Sequence, residues 1–535
     1  MRKLFLLVVF VGLVGSAAFA LDDDGLGIGP VVHSVPNANQ RVGHPDTVIA
    51  SPFLLKRLAQ GSDPLENPSG VITNFGFLSD VPPQTVEVTK TEPDENTYVV
   101  LFKNPGGPTP GYDYGRHFLF QGHEVFGQNL GYVTRINLDV KDPAHRITLL
   151  TPVGDDGKTH FNSIDGSTYD PFTNTLLFTQ EAAAPTGGVI QISASWPPVV
   201  TRLDGIMGSG GYEGVHPDDR GNILLIEDIG GTSVNVNPAD ATSPKAAKQP
   251  NSFVYRFVPY DKTDLTMGGK LQALQVSIDG QPVVFHASDA VGDVFSINQL
   301  KLHTPGTSYP VRWVTIHDTA LDGTDPFNAN AAAKAALATP FKRPENAQFL
   351  PGSGFRTFFF DPTGDTNSLS GSVPDLAARG AWGSIFRVDL NRSRDAGWIS
   401  IVVLGDAVHS SFDNLAFADP TTLVAAEDRG DGLHTQLNAM DSVWAFSVRG
   451  NPRPRRFIAL GRDPASETDA GLAGTPGFQN DGDNEPTGLH VSNGNPFTFA
   501  LPGTFGNLIH ARGFITRQHG ENVVWEILRK DFDKR

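Results

Sequence analysis

Residues 412–428 read Phe412-Asp-Asn-Leu-Ala-Phe-Ala-Asp-Pro-Thr-Thr-Leu-Val-Ala-Ala-Glu-Asp428. Two apolar runs of strand length flank a turn at Ala418–Thr421, with Asp413-Asn414 at one end and Glu427-Asp428 at the other. The same pattern returns as Asp165-Gly166, the turn Asp170–Asn174 and Glu181. It returns again as Glu213-Gly214, the turn His216–Gly221 and Glu227-Asp228, and as Glu345-Asn346, the turn Pro351–Gly354 and Asp361. Partial copies bracket these at Gly122-His123-Glu124 and Asn484-Glu485-Pro486-Thr487-Gly488.

The first acid precedes the second by 16, 14, 16 and 14 residues (165 to 181, 213 to 227, 345 to 361, 413 to 427). Two strands of about 5 residues and a turn take up that length. The chain runs down one strand and back up the next, so both acids return to one face. Units that each bring acid to a common face predict an all-β fold, a β-propeller with carboxylates ringing the central channel. Counting the starts gives six blades.

Carboxylates gathered on one rim repel, and each has its proton affinity raised unless a cation neutralises the set. An all-oxygen donor set suits a hard ion such as calcium. Asp alone is a favoured turn residue, but Glu is not, and Glu recurs in the pattern. The candidate metal residues read from the repeat are Glu124, Asp165, Glu181, Glu213, Asp228, Glu345, Asp413, Asp428 and Glu485.

Composition agrees. The 535 residues include 57 Gly and 40 Pro, which disfavours long helices and favours turn-rich β structure. The net charge of −17 argues against a nucleic-acid partner and for cation binding. With no cysteine, disulfides, thiolate metal sites and cysteine nucleophiles are excluded.

Residues 1–20 read as a signal peptide: Arg2-Lys3, the apolar run Leu4–Val14, and the cleavage pattern Ala18-Phe-Ala20. The run is too short for a membrane span, so a secreted or periplasmic protein is expected. Residues 21–114 read as an irregular N-terminal segment packed on a propeller of residues 115–535, with insertions near 232–250 and 259–340. A helix is expected at Asn330–Leu337. His123, His160, His409 and His519 lie near the acidic repeats, where a histidine is more often structural than catalytic. No serine-hydrolase elbow is present in a convincing context, and Asp481-Gly-Asp-Asn-Glu485 is dense in oxygen donors without matching an EF-hand loop.

These segments resemble the PhoX-type alkaline phosphatase family, secreted β-propeller enzymes that use iron and calcium. Phe118-Leu-Phe-Gln-Gly-His-Glu124 looks like that family's strand ending in Asn-His-Glu, and Gly211-Tyr-Glu-Gly214 like its His-Glu-Gly. Arg343-Pro-Glu345, Phe412-Asp-Asn-Leu-Ala-Phe417 with the later Asp428, Glu485-Pro-Thr-Gly488 and Gln518-His-Gly520 follow in the family's order. The resemblance implies that Glu124, Glu213, Glu345 and Glu485 line a metal cluster, with Asp228, Asp413 and Asp428 as further candidates. Glu213, Glu345 and Arg343 are the candidate catalytic residues, Arg343 either neutralising Glu345 or clamping phosphate. The family's iron-binding cysteine is replaced by Ser163 in Phe161-Asn-Ser-Ile-Asp-Gly166, which moves the expectation from iron to calcium held by oxygen donors such as Asp165.

The expected function is therefore a secreted metal-dependent phosphatase acting on a small-molecule phosphate ester. The alternatives are a non-catalytic calcium-binding propeller, or another propeller hydrolase of lactonase or phosphotriesterase type.

Overall fold

The computed structural model describes residues 27–36, 46–67, 72, 74–76, 92–124, 130–156, 158–450, 453–461, 485–495, 511–518 and 522–530. The proposed signal peptide, residues 481–484 and His519 lie outside them. Antiparallel strands dominate, arranged in six blades.

Blade 1 is built from Glu92–Val100, His117–Glu124, Tyr132–Asn137 and Ile147–Leu149, and blade 2 from Ile164–Asp170, Thr175–Gln180, Gly188–Ser193 and Val200–Arg202. Blade 3 comprises Tyr212–Pro217, Ile223–Glu227, Val254–Pro259 and Gly269–Ile278, and blade 4 comprises Pro344–Phe349, Thr357–Pro362, Ser384–Leu390 and Ala396–Leu404. Blade 5 runs through Phe412–Asp419, Thr422–Glu427, Ser442–Ser447 and Arg455–Ala459, with Val48–Ile49 added at its edge. In blade 6, Pro486–Ser492, Arg512–Arg517 and Val523–Arg529 are completed by Phe53–Ala59 from the other end of the chain. Each first strand adjoins the first strand of the next blade, and the sixth adjoins the first, so the ring closes.

The apolar runs are continuous because both faces of every blade are covered. Along Leu176-Leu177-Phe178, the first and third side chains pack on blade 1 and the middle one on blade 3. Phe358-Phe359-Phe360 divides in the same way: Phe358 and Phe360 face blade 3, and Phe359 faces blade 5. A two-residue period thus supplies two separate cores from one strand. Similar clusters fill the gaps between blades 5 and 6 and between blades 6 and 1.

Two features differ from the sequence expectation. Glu92–Val100, within the segment read as irregular, is the innermost strand of blade 1. Much of residues 259–340 extends the sheets: Tyr309–Asp318 pairs with the outer strand of blade 3 on one side and of blade 4 on the other, joining the two blades into one sheet. Ser233–Asn235 and Lys245–Lys248 pair as a two-stranded hairpin of their own. The expected helix is present at Ala329–Ala335, where the Asn328 side chain accepts from Ala331 N–H at its N-terminus. Among the described residues, no helix is long and apolar enough to cross a membrane.

Candidate metal centre

Every first strand breaks register with its partner at the same place. The breaks fall between Pro93 and Asn96, Ile164 and Ser167, Tyr212 and Val215, Pro344 and Ala347, Phe412 and Leu415, and Thr487 and His490. The residues inside are Asp94-Glu95, Asp165-Gly166, Glu213-Gly214, Glu345-Asn346, Asp413-Asn414 and Gly488-Leu489. The acidic pairs of the sequence repeat are therefore bulges, which re-aim side chains that a regular strand would send into the blade interfaces. A glycine in the bulge lets neighbouring strands approach. At Gly166 a Cβ would lie 1.9 Å from the Glu213 carbonyl oxygen, and at Gly488, with φ +58°, it would lie 2.7 Å from that of Asp94. Where Asn stands instead, its amide ties strands together: Asn346 donates to Glu95 and accepts from His216 Nε2 at 3.0 Å.

In blades 1, 2, 3 and 5 the second strand of the hairpin adds another acid. The residue paired with the position before the bulge is His123, Gln180, Glu227, Pro362 or Glu427. The next residue along is Glu124, Glu181, Asp228, Thr363 or Asp428. This register corrects the sequence reading in detail. Gly122-His123-Glu124 ends a second strand and does not open a repeat. Glu227 and Glu427, used there to measure spacing, are fully buried blade-internal acceptors. Glu227 Oε2 receives Phe253 N–H and the Tyr255 hydroxyl, and Glu427 receives Ser410 and Ser442 N–H. Asp361 sits two positions short of the register equivalent, buried, accepting from Asn346 N–H at 3.1 Å.

Carboxylates from different blades converge. Asp94, Glu124 and Asp165 offer oxygens within 4.8 Å of one another, as do Asp165, Glu181 and Glu213, and also Glu213, Glu345 and Asp413. Asp165 and Glu213 are each shared by two groups, so the three form one arc from blade 1 to blade 5. Asp228 adjoins the arc through Arg343, whose Nε donates to Asp228 Oδ2 at 2.7 Å and whose Nη2 lies 3.4 Å from Glu345 Oε1. Asp428 accepts from Gly430 N–H at 2.9 Å and acts on Asp94 and Asp413 through its charge. Glu485 precedes the first strand of blade 6, its carbonyl accepting from Gln518 N–H at 2.9 Å, and is in none of the three close groups.

Sequence reasoning missed Asp94 and Glu95. Pro93-Asp-Glu-Asn96 followed by Thr-Tyr-Val-Val100 carries the acid–Asn–apolar signal, but a long connection, residues 101–116, separates it from its partner strand and hides the usual interval. Gln518 was quoted only as a motif residue, yet its amide bridges Asp94 Oδ2 at 2.9 Å and Glu124 Oε2 at 3.0 Å. Of the histidines, His123 is fully buried against Thr134 and Tyr132, and burial holds its imidazole well below the usual range, a neutral structural role. His160 and His409 sit against Asp156 and Asp406.

Burial, then repulsion between neighbours, raises these carboxyls. Asp94 is pushed up to about 6, Glu345 to about 7 and Glu95 to about 8. Glu124, Asp165, Glu181, Glu213, Asp361 and Asp413 are all driven well above the ordinary carboxylate range by the same causes. Buried Asp228 Oδ1, Glu345 Oε1 and Asp361 Oδ2 receive no hydrogen bond. A buried array of oxygens short of donors and protons fits hard cations. Ser163 offers no thiolate, and its carbonyl is occupied by Glu181 N–H at 2.9 Å.

The family model described as alkaline phosphatase PhoX matches residues 240–492, a span that carries Arg343, Glu345, Asp413, Asp428 and Glu485. Over that span the chain is similar to the PhoX family. Among solved structures it is similar to Pseudomonas fluorescens PhoX in complex with vanadate, a transition state analogue. That likeness has a TM-score of 0.54 at 11% identity and covers 95% of this chain and 98% of that one. A weaker likeness, TM-score 0.30 at 10% identity over 81% of this chain and 98% of the other, is to a catalytically inactive virginiamycin B lyase from Staphylococcus aureus. No curated protein sequence matches.

Proposed function

We propose that this chain is a PhoX-type protein, a secreted phosphatase that hydrolyses small-molecule phosphate esters at the carboxylate arc, with calcium as its metal. The observation that carries this reading is the shared membership of Asp165 and Glu213 in successive close groups, which makes one continuous oxygen-lined site from five blades. Asp94, Glu124, Asp165, Glu181, Glu213, Glu345 and Asp413 would hold the metal, with Asp228 beside them and Asp428 and Glu485 at the margin. When bound, calcium would supply the positive charge that phosphoryl transfer requires at the phosphate oxygens.

The chain's own residues set up that site. Arg343 fixes Asp228 and Glu345, while Gln518 fixes Asp94 and Glu124, so the acids are oriented before any ligand arrives. Glu213 and Glu345 would contribute to the reaction by orienting what binds between them, and Arg343 as a positioning residue. The choice of calcium over iron rests on an oxygen-only donor set and on Ser163. Export rests on the leader-like residues 1–20.

The test is hydrolysis of a chromogenic phosphomonoester by the purified protein, with chelator and after adding back calcium or iron. Calcium-restored turnover is expected. Absence of turnover with either metal overturns the proposal, and restoration by iron alone overturns the choice of calcium.

A further inference from the structure

The Arg343 guanidinium is committed: Nε to Asp228, Nη1 to Thr366 Oγ1 at 3.0 Å, and Nη2 toward Glu345. It is therefore poorly placed to grip a phosphate as well. A second cation stands close by. Lys248 ends the hairpin Ser233–Asn235/Lys245–Lys248, which packs on the helix Ala290–Val294 and on Leu376 and Ala381. Its backbone N–H donates to Asp365 Oδ1 at 3.0 Å, the same oxygen that receives Lys342 Nζ at 2.9 Å. Lys342 and Asp365 are buried and directly precede Arg343 and Thr366, so the hairpin is pinned to the segment that carries Arg343.

The Lys248 side chain is half-buried, yet its ammonium makes no hydrogen bond or ion pair with any described residue. Burial and the Arg343 charge lower its proton affinity, while Asp228, Asp365 and Glu345 raise it. Three unused donors on a half-buried lysine invite an anion.

We propose that Lys248 donates to the non-bridging oxygens of the phosphoryl group held at the arc, and that the blade 3 hairpin serves to deliver it. This rests on the phosphatase reading above. It assigns the two cations different work, Arg343 ordering the carboxylates and Lys248 contacting the substrate.

The experiment uses metal-loaded full-length protein and inorganic phosphate as probe, measured by calorimetry and as a competitive inhibitor. In Lys248→Gln and Lys248→Ala the phosphate dissociation constant should rise about tenfold, with melting temperature and bound metal unchanged, and Lys248→Arg should retain affinity to within about threefold. Phosphate affinity unchanged in all three variants overturns the proposal. So does a defect confined to KM for esters with an anionic leaving group, which would place Lys248 on the leaving group instead. Because calorimetry needs no turnover, Lys248-dependent phosphate binding without hydrolysis would sink the phosphatase reading alone. Hydrolysis with Lys248-independent binding would sink this inference alone.

Discussion

Arg343 Nε meets Asp228 Oδ2 at 2.7 Å across two blades, from a backbone held in the left-handed region at φ 54°. Asp228 follows the second strand of blade 3, and Arg343 leads into the first strand of blade 4. The pair therefore fastens adjacent blades at the rim of the arc. Breaking a buried pair of this kind by removing one partner costs about 3–5 kcal/mol. Arg343→Ala should lower the melting temperature and reduce kcat/KM together. Arg343→Lys keeps the charge but loses the fork that reaches Asp228, Thr366 and Glu345 at once, and should recover stability more than rate. Equal recovery of both would remove the positioning role.

Glu213 and Glu345 belong to the same close group. Glu213→Gln and Glu345→Gln should each weaken calcium at least about tenfold, read by titration of the chelator-treated protein. Unchanged calcium affinity in both would refute a shared site.

Adjacent acids should behave oppositely. Glu227→Ala removes the acceptor of Phe253 N–H and the Tyr255 hydroxyl inside blade 3, so unfolding should become easier by roughly 1–3 kcal/mol while metal affinity holds. Asp228→Asn should show the reverse balance, with metal affinity falling more than stability. Denaturant titration with and without calcium separates the two.

Carboxyls raised by burial and repulsion favour the protonated native state. In the chelated protein their contribution is fully present below the unfolded-chain value near 4 and is lost as pH rises through about 6, 7 and 8 for Asp94, Glu345 and Glu95. Melting temperature of the metal-free protein should therefore fall between pH 5 and pH 8, an interval on the order of those shifts. Calcium should flatten the profile, because it replaces the protons, and should bind more tightly as pH rises. A metal-free protein that grows more stable across that interval would contradict the buried arc.

Much of this was readable from local pattern. Strand-length runs such as Thr175–Phe178 and Ser384–Leu390, and the alternating acids, sufficed for the propeller. Phase was less accessible. Whether Glu227 or Asp228 reaches the channel depends on a bulge at Glu213-Gly214 fifteen residues earlier, since one step of register exchanges the faces of a strand. Asp94 and Glu95 escaped because Glu92–Val100 pairs across a long loop, and nothing local announces that partner. The joining of blades 3 and 4 through Tyr309–Asp318 depends on two distant strands presenting free edges together.

Blade 6 takes its outer strand, Phe53–Ala59, from the beginning of the chain and the rest from residues 486–529. The circle is thus latched by the antiparallel pairing of Phe53–Ala59 with Val523–Arg529, a seam between segments far apart in sequence. Loosening that one seam releases the sixth blade from its neighbours on both sides, so the ring gives way as a unit.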